Sequence, residues 1–240
     1  MKSLVFVHGF MGGSQQWVEQ RQALGGAFDI ITPDLPGFGK NAHLTAPDSI
    51  TGFARWVLDD LSTRGIEQFH IVGHSMGGMI VQEIVRLAPH RVAQMVLYGT
   101  GATGVLPGRF ESISASKQSA RADGPRITAR RISATWFLKH EQAAAYEGCA
   151  AIAERSSPQS IEAGLDAMQN WSGVSHLPDI HTRTLVIWGD NDRSYSWAQA
   201  EQLWRSIPDA SLAVIPDCAH AVHLEKPELF NTVLGDFLKP

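Results

Sequence analysis

The hydrophobic residues of this 240-residue chain fall mainly into short runs separated by longer segments of mixed character. Within most runs the apolar residues are consecutive rather than alternating, which is typical of strands buried on both faces of a parallel sheet. Six runs therefore predict strands, at residues 4–7, 29–32, 69–72, 95–98, 184–188 and 211–215.

The segments between these runs repeat their apolar residues with the spacing of an α-helix. Helices are predicted at residues 14–24, 48–64, 76–87, 197–206 and 227–238. A chain that alternates strand with helix favours a doubly wound α/β fold, in which functional groups collect at the carboxyl ends of the strands.

The alternation stops between residues 104 and 175, where no strand pattern occurs. Helical patterns replace it at residues 109–120, 125–139, 141–153 and 158–169. We interpret this helical insertion as a lid over the strand ends. The predicted organisation is a core formed by residues 1–103 and 176–240, with a helical lid subdomain at residues 104–175.

Composition is consistent with one folded α/β domain and excludes few function classes. Hydrophobic residues make up 44% of the chain and charged residues 18%, with a net charge of −4, so nucleic acid is not an expected partner. The two cysteines, Cys149 and Cys218, suggest neither a disulfide framework nor a zinc site. No signal peptide or membrane-length apolar segment is recognised, and we expect a cytoplasmic protein that does not enter a membrane.

Residues 73–78 read Gly-His-Ser-Met-Gly-Gly and directly follow a predicted strand. A serine between small residues, where a strand passes into a helix, is typical of a nucleophile elbow. The turn lifts the Ser75 hydroxyl clear of the sheet and places it at a helix N-terminus, which stabilises a developing oxyanion. Taken alone, the same residues are also compatible with an ordinary glycine-rich turn.

A second glycine-containing loop follows the first predicted strand and begins with His8 and Gly9. It is predicted to meet the elbow at the same sheet edge. There the main-chain N–H groups of Phe10 and Met76 would form an oxyanion hole. The alternative is a simple connection that opens the next helix.

A serine nucleophile requires a general base and a carboxylate that orients it. Asp190 and Asp192 follow one late strand, and His220 follows the next. Asp192 is favoured because Asp190, next to a glycine, is placed to shape the turn. His220 is favoured over His223, which lies near the final helix, and over His74, whose side chain should diverge from that of its neighbour Ser75.

These motifs resemble the α/β-hydrolase fold family over nearly the whole chain. The matching residues are His8-Gly9, residues 33–39 (Pro-Asp-Leu-Pro-Gly-Phe-Gly), residues 73–78, residues 189–192 (Gly-Asp-Asn-Asp), and His220 with Glu225 and Pro227. By this resemblance Ser75 is the nucleophile, Asp192 the acid and His220 the base. The family usually has an antiparallel hairpin before the strand that leads into His-Gly. This chain starts at that strand, so we expect a sheet of about six strands.

The residue at position 75 restricts the reaction. Haloalkane dehalogenases and epoxide hydrolases of this fold use aspartate at the elbow, and prolyl aminopeptidases typically have tryptophan where Met76 stands. Hydrolysis of a small carboxylic ester or (enol-)lactone is therefore predicted. Carbon–carbon hydrolases of aromatic ring-cleavage products are the alternative, although they usually have asparagine at the position of His74 and often tryptophan at that of Ala221. A ligand receptor or a cofactor-free oxygenase on the same fold also stays open.

The positive charge of the predicted lid suggests that the substrate carries a carboxylate. Residues 109–139 contain seven basic and two acidic residues, whereas the rest of the chain contains 13 basic and 22 acidic residues. A basic lid would attract a carboxylate-bearing substrate. Arg126 and Arg130, four residues apart on a helix, are candidates to hold that carboxylate, unless they form only a solvated surface.

Three aromatic residues in or beside the lid, Trp136, Phe137 and Trp171, are candidates to line an apolar substrate pocket, with core packing as the alternative. A small molecule is the expected partner. No metal or organic cofactor is required by the predicted chemistry, and the sequence leaves the oligomeric state open.

Overall fold

Six parallel strands form a single sheet in the computed structural model, which describes residues 1–105 and 111–239. The strands are Lys2–Val7 (β1), Phe28–Ile31 (β2), Phe69–His74 (β3), Val92–Tyr98 (β4), Thr184–Gly189 (β5) and Ala210–Ile215 (β6). Their spatial order is β2-β1-β3-β4-β5-β6. Each coincides with a run identified in the sequence, and the predicted α/β-hydrolase fold with about six strands is confirmed.

The strand order reverses between β1 and β3, which are paired so that Val5 lies opposite Ile71. The chain moves outward from β1 to β2 and then crosses back to β3. In open parallel sheets, the crevice at such a reversal, beyond the carboxyl ends of the strands, is the usual place for a ligand. The loops after Val7 and His74 flank this crevice.

Helices cover both faces of the sheet. The α-helices are Val18–Leu24 (α1), Ile50–Thr63 (α2), Met76–Leu87 (α3), Ile113–Ala134 (α4), Tyr146–Ala153 (α5), Pro158–Gln169 (α6), Trp197–Ser206 (α7), Val222–Glu225 (α8) and Pro227–Leu238 (α9). Short 3-10 helices occur at Ser14–Trp17, Gly39–Asn41, Pro89–Arg91, His140–Gln142 and Val174–Asp179. No helix in these described parts of the chain is long and apolar enough to cross a membrane.

Alternate side chains of the buried strands point to opposite faces and build two hydrophobic clusters. On one face Val5 and Ile71 join the larger cluster, which includes apolar residues of α2 and α3. On the other face Leu4 and Val72 join the smaller cluster, which includes residues of α9. The consecutive apolar pattern of the strands follows from this burial on two sides.

The segment between β4 and β5 is helical, as the sequence predicts. The helix α4 is interrupted at Gly124, whose φ of 78° and ψ of 169° lie outside the helical region, and Pro125 restarts it. This break explains why the sequence shows two helical patterns there. The start of the first pattern falls in residues 106–110, outside the described residues. Buried residues of α4 to α6 belong to the same hydrophobic cluster as one face of the sheet, so these helices share the main core.

Candidate active site

The turn between β3 and α3 places Ser75 at the crevice in a strained conformation. Its φ of 57° and ψ of −122° are unusual for a residue with a side chain. The neighbouring glycines are sterically required. A Cβ atom on Gly73 would lie 2.5 Å from the carbonyl oxygen of Gly77, and one on Gly77 would overlap the carbonyl oxygen of Val7. The geometry is that of a nucleophile elbow.

Asp192 and His220 form a buried pair beyond the ends of β5 and β6. The Nδ1 atom of His220 lies 2.8 Å from Asp192 Oδ2, and the side chains are only 2% and 0% exposed. The other carboxylate oxygen accepts hydrogen bonds from the N–H groups of Ser194 (2.7 Å) and Tyr195 (3.1 Å). Because a carboxylate only accepts, the Nδ1 atom carries the proton, which leaves Nε2 of a neutral ring as an acceptor.

Asp190, the alternative acid, has a different environment. It is exposed, and its Oδ1 accepts hydrogen bonds from the side-chain amide of Asn191 at 2.7 Å and from the N–H of Cys218 at 3.4 Å. These contacts shape the turn. The structure therefore pairs His220 with Asp192 and not with Asp190.

The two alternative histidines, His74 and His223, lie behind His220. His74 donates from Nε2 to the main-chain oxygen of His220 at 3.1 Å and stacks on Tyr98. The Nδ1 atom of His223 lies 3.0 Å from the hydroxyl of Tyr98. Burial lowers the pKa of His223 to about 3, and burial, followed by the neighbouring His220, places the pKa of His74 well below its usual value. Both rings are therefore neutral supports.

Ser75 and His220 line the same pocket but form no hydrogen bond with each other in this conformation. In many hydrolases this contact tightens only when substrate binds. Gly9 packs against the elbow, since a Cβ atom on it would lie 2.9 Å from the Cβ of Ser75. The N–H groups of Phe10 and Met76 donate to no main-chain or side-chain acceptor in the described part of the chain. Both donors are thus available beside the serine.

The loop that carries Phe10 is held by the neutral ring of His8. Its Nδ1 donates to the oxygen of Gly9 at 2.8 Å, and its Nε2 accepts from the N–H of Leu35 at 2.9 Å. Burial lowers the pKa of His8, which favours this neutral form. Asp34, next to Leu35, accepts hydrogen bonds from the N–H and hydroxyl of Ser14 at 2.9 and 2.6 Å. Residues 33–39 therefore hold the loop between His8 and Ser14 in place through these hydrogen bonds.

The pocket at Ser75 encloses a cavity of about 40 Å³, lined in part by residues of α4 and α6. Trp136, one of the three predicted aromatic residues, lines it together with Ile132 and Met168. Phe137 is fully buried and is not among the lining residues. Trp171 lines a different cavity, of about 610 Å³, beside the far end of α3. Of the aromatic candidates, the structure brings only Trp136 to the serine.

The structure does not bring Arg126 and Arg130 to the pocket. Arg130 pairs with Glu147 at 2.6 Å and with Glu154 at 3.0 Å, and Arg126 lies 3.7 Å from Glu154. The expected carboxylate clamp is therefore replaced by ion pairs within the lid. The charge count of residues 109–139 omitted these partners because they lie beyond that range, Glu147 on α5 and Glu154 directly after it. No arginine or lysine is found among the described residues that line the pocket.

Several pocket residues carried no recognisable sequence signal. Gln16, Ser194 and Tyr195 line the pocket, and the ring of Tyr195 stacks on that of His220 at 5.6 Å.

The sequence indicated Glu225 only as part of a family motif, without a structural role. Its carboxylate accepts the N–H groups of Ala219 and Leu138, both at 2.7 Å, and so joins the His220 loop to the lid.

In residues 1–105 and 111–239, no group of three or more His, Cys, Asp or Glu side chains is placed to hold a metal ion. The described site consists of a serine, a histidine–carboxylate pair and two unpartnered main-chain N–H groups.

The chain is similar to several known hydrolases over nearly its whole length. The chain is 25% identical to the provisionally named carbamate hydrolase of Agrobacterium fabrum, over 99% of this chain and 93% of that protein. It is 28% identical to the pimeloyl-[acyl-carrier protein] methyl ester esterase of Aromatoleum aromaticum, over 98% of each. Among solved structures, the enol-lactonase from Burkholderia xenovorans LB400 superposes with a TM-score of 0.90 at 22% identity, over 99% of this chain and 91% of that chain.

The model of the alpha/beta hydrolase family matches residues 4–233, which is nearly the full length of the chain. The chain therefore belongs to the alpha/beta hydrolase family.

Proposed function

We propose that the protein hydrolyses small carboxylic esters or lactones through an acyl-enzyme formed on Ser75. The observation that carries this proposal is the buried 2.8 Å contact between Asp192 and His220, at a pocket that Ser75 also lines. An imidazole held in this tautomer is suited to remove a proton from a serine hydroxyl.

In the proposed mechanism, His220 Nε2 accepts the proton of Ser75 as the hydroxyl oxygen attacks the substrate carbonyl. Asp192 stabilises the imidazolium, and the N–H groups of Phe10 and Met76 donate to the oxyanion. His220 then protonates the departing alcohol. A water molecule deprotonated by His220 attacks the acyl-enzyme, releasing the acid and restoring Ser75.

Ester or lactone hydrolysis is favoured over the other chemistries of this fold for two reasons. A serine, rather than an aspartate, occupies the elbow, and the pocket lined by Trp136, Ile132 and Met168 is small and apolar. The names of the methyl ester esterase and the enol-lactonase among its relatives support the same class of bond.

We also propose that residues 104–175 act as a cap subdomain on a core formed by residues 1–103 and 176–240. Support comes from Ile132, Trp136 and Met168, which belong to this segment and line the pocket.

A cytoplasmic location is also part of the proposal. The cysteines Cys149 and Cys218 are free and buried, which suits a reducing compartment.

A fluorophosphonate probe combined with p-nitrophenyl acetate tests the proposal. We expect covalent labelling at Ser75, located by peptide mass spectrometry, together with turnover of the ester that the label abolishes. Labelling without turnover would indicate a receptor. Absence of both would contradict an activated serine, and in that case a cofactor-free oxygenase would be the class to assay.

A further inference from the structure

Gln16 lies between the pocket at Ser75 and a second cavity on the outer surface. Its side chain is buried and lines both cavities. The outer cavity is a groove of about 370 Å³ between the 3-10 helix Ser14–Trp17 and α5. Gln16 is the one residue that the described linings of the two cavities share.

Two hydrogen bonds hold Gln16 in this position, and the one to Cys149 is weak. Its Nε2 donates to the sulfur of Cys149 at 3.4 Å, and its Oε1 accepts the N–H of Gly13 at 3.2 Å. A thiol is a poor acceptor. Burial raises the pKa of Cys149 to about 11, so the sulfur is a neutral thiol rather than a strongly accepting thiolate. Rotation of Gln16 would break these two hydrogen bonds and move aside the side chain that lines both cavities.

The outer groove has a small, apolar wall and a cation. Ala145, Gly148, Ile152 and Leu224 line it, and none of these side chains is polar. Arg155 also lines it and is exposed, and its guanidinium has no hydrogen-bond or ion-pair partner in the described part of the chain. The basic residues of α4 differ in this respect, since Arg130 is held by two glutamates.

On the basis of the proposed esterase function, we propose that Gln16 gates a continuous substrate channel from Ser75 to Arg155. Its substrates are esters in which one arm is a linear apolar chain that ends in an anionic group. The chain lies along the groove of α5, and Arg155 binds the terminal anion. This inference deepens the proposed function by assigning a substrate class, and it places the anion site on Arg155 instead of the Arg126 and Arg130 pair.

A substitution at Gly148 tests the channel. A Cβ atom at Gly148 would have no neighbour within 4 Å, so Gly148→Leu can fill the groove without a clash. Leucine also favours the helix more than glycine does, so α5 should not be weakened. Gly26→Leu is the matched control, since a Cβ there also has open space and Gly26 does not line the groove.

Four purified variants, Gly148→Leu, Gly26→Leu, Arg155→Gln and Arg126→Gln, would be compared with the wild type on a short ester and on long esters. The short ester is p-nitrophenyl acetate. The long ones are the p-nitrophenyl monoester of octanedioic acid, which carries the anionic arm on the acyl side, and 8-acetoxyoctanoate, which carries it on the alcohol side. Uncharged partners of each, p-nitrophenyl octanoate and octyl acetate, separate the effect of charge from that of length.

We expect wild type to hydrolyse one of the two anionic long esters faster than its uncharged partner. Gly148→Leu should lower kcat/KM for that ester at least tenfold while leaving p-nitrophenyl acetate within about twofold. Arg155→Gln should raise KM for the anionic ester at least fivefold and leave its uncharged partner unchanged, whereas Arg126→Gln should change neither.

The channel is overturned if wild type shows no preference for an anionic long ester, or if Gly148→Leu affects long and short esters equally. Failure of the proposed function has a separate signature, because p-nitrophenyl acetate would then not be hydrolysed by the wild type at all.

Discussion

The phenol of Tyr98 donates a 2.7 Å hydrogen bond to the main-chain oxygen of His220. His74 donates to the same oxygen, so two neutral, fully enclosed side chains hold the backbone of the proposed base from behind. Asp192 holds the ring from the other side. Burial raises the pKa of Tyr98 well above its usual value, so its hydroxyl stays a donor throughout the neutral range. Tyr98 is accordingly a positioning residue, since it acts on His220 and not on the substrate.

Tyr98→Phe should therefore lower kcat/KM for p-nitrophenyl acetate by about threefold to tenfold. It should also lower the free energy of unfolding by about 1–2 kcal/mol, the usual range for a lost buried hydrogen bond. The activity loss should appear in kcat, because the substrate pocket is unaltered. Tyr146→Phe is the control, since that hydroxyl makes only a 3.4 Å contact with the oxygen of Arg130 in the lid. Equal activity in the two variants would argue against the positioning role.

The pairing of His220 with Asp192 predicts different results at two neighbouring aspartates. Asp192→Asn should reduce kcat by about 10³- to 10⁴-fold, because an amide that donates to Nδ1 imposes the wrong tautomer. Asp190→Asn should stay within about threefold of wild type, because the hydrogen bonds of Asp190 within the described residues go to Asn191 and to the N–H of Cys218. Steady-state kinetics of both variants check this. A large loss at Asp190 with little loss at Asp192 would reverse the assignment.

The buried histidines predict how stability depends on pH. The pKa values of His8, His74 and His223 all lie below 6.5 in the folded protein, chiefly because of burial, and that of His223 is about 3. Below pH 6.5 the unfolded chain binds protons that the folded chain does not. The stability present above pH 6.5 should therefore be lost as pH falls toward 3, by up to about 1.4 kcal/mol per pH unit for each histidine.

Urea unfolding followed by tryptophan fluorescence at pH 7.5, 6.0 and 5.0 measures this slope. His223→Gln removes one of the buried titrating groups, so its slope between pH 6.0 and 5.0 should be shallower than that of the wild type. The control is His90→Gln, at an exposed residue for which the slope should be unchanged. If the free energy of unfolding of His223→Gln depends on pH as steeply as that of the wild type, burial of a neutral His223 does not cause the loss of stability at low pH.

The elbow predicts a strict steric requirement. A Cβ atom on Gly77 would overlap the main-chain oxygen of Val7, so Gly77→Ala should displace β1 or α3 and markedly lower both activity and stability. Gly26→Ala, at a position with open space around it, should be neutral or slightly stabilising. Thermal unfolding and ester hydrolysis of the two variants provide the comparison.

Local pattern was sufficient to predict the six strands. The inner strands, such as β3, are buried on both faces, and the partly exposed edge strands β2 and β6 still carry short apolar runs. Local pattern also favoured Asp192 and His220, since parallel strands bring the residues after their carboxyl ends to one edge. Contacts between side chains far apart in the sequence could not be predicted from local pattern. Tyr98 looked like an ordinary core residue of β4, yet its hydroxyl reaches His220, 122 positions later in the chain.

The lid shows the same limit more clearly. Helical spacing indicates that Arg126 and Arg130 share one face of a helix, but it does not indicate which residues of other elements contact that face. In the structure, Glu147 on α5 and Glu154 directly after it pair with these arginines, so their charge is not available to a substrate. Trp136 and Trp171 were equally good pocket candidates by sequence, and only the path of the chain separates them into two cavities.

The central claim is that Ser75 is the nucleophile, and the turnover of purified Ser75→Ala with p-nitrophenyl acetate tests it most directly. The variant should fold like the wild type, as judged by its thermal unfolding, because the Ser75 hydroxyl takes part in no hydrogen bond within the described protein. We predict that kcat/KM falls by at least 10³-fold. A folded Ser75→Ala protein that hydrolyses the ester at the wild-type rate would contradict the account.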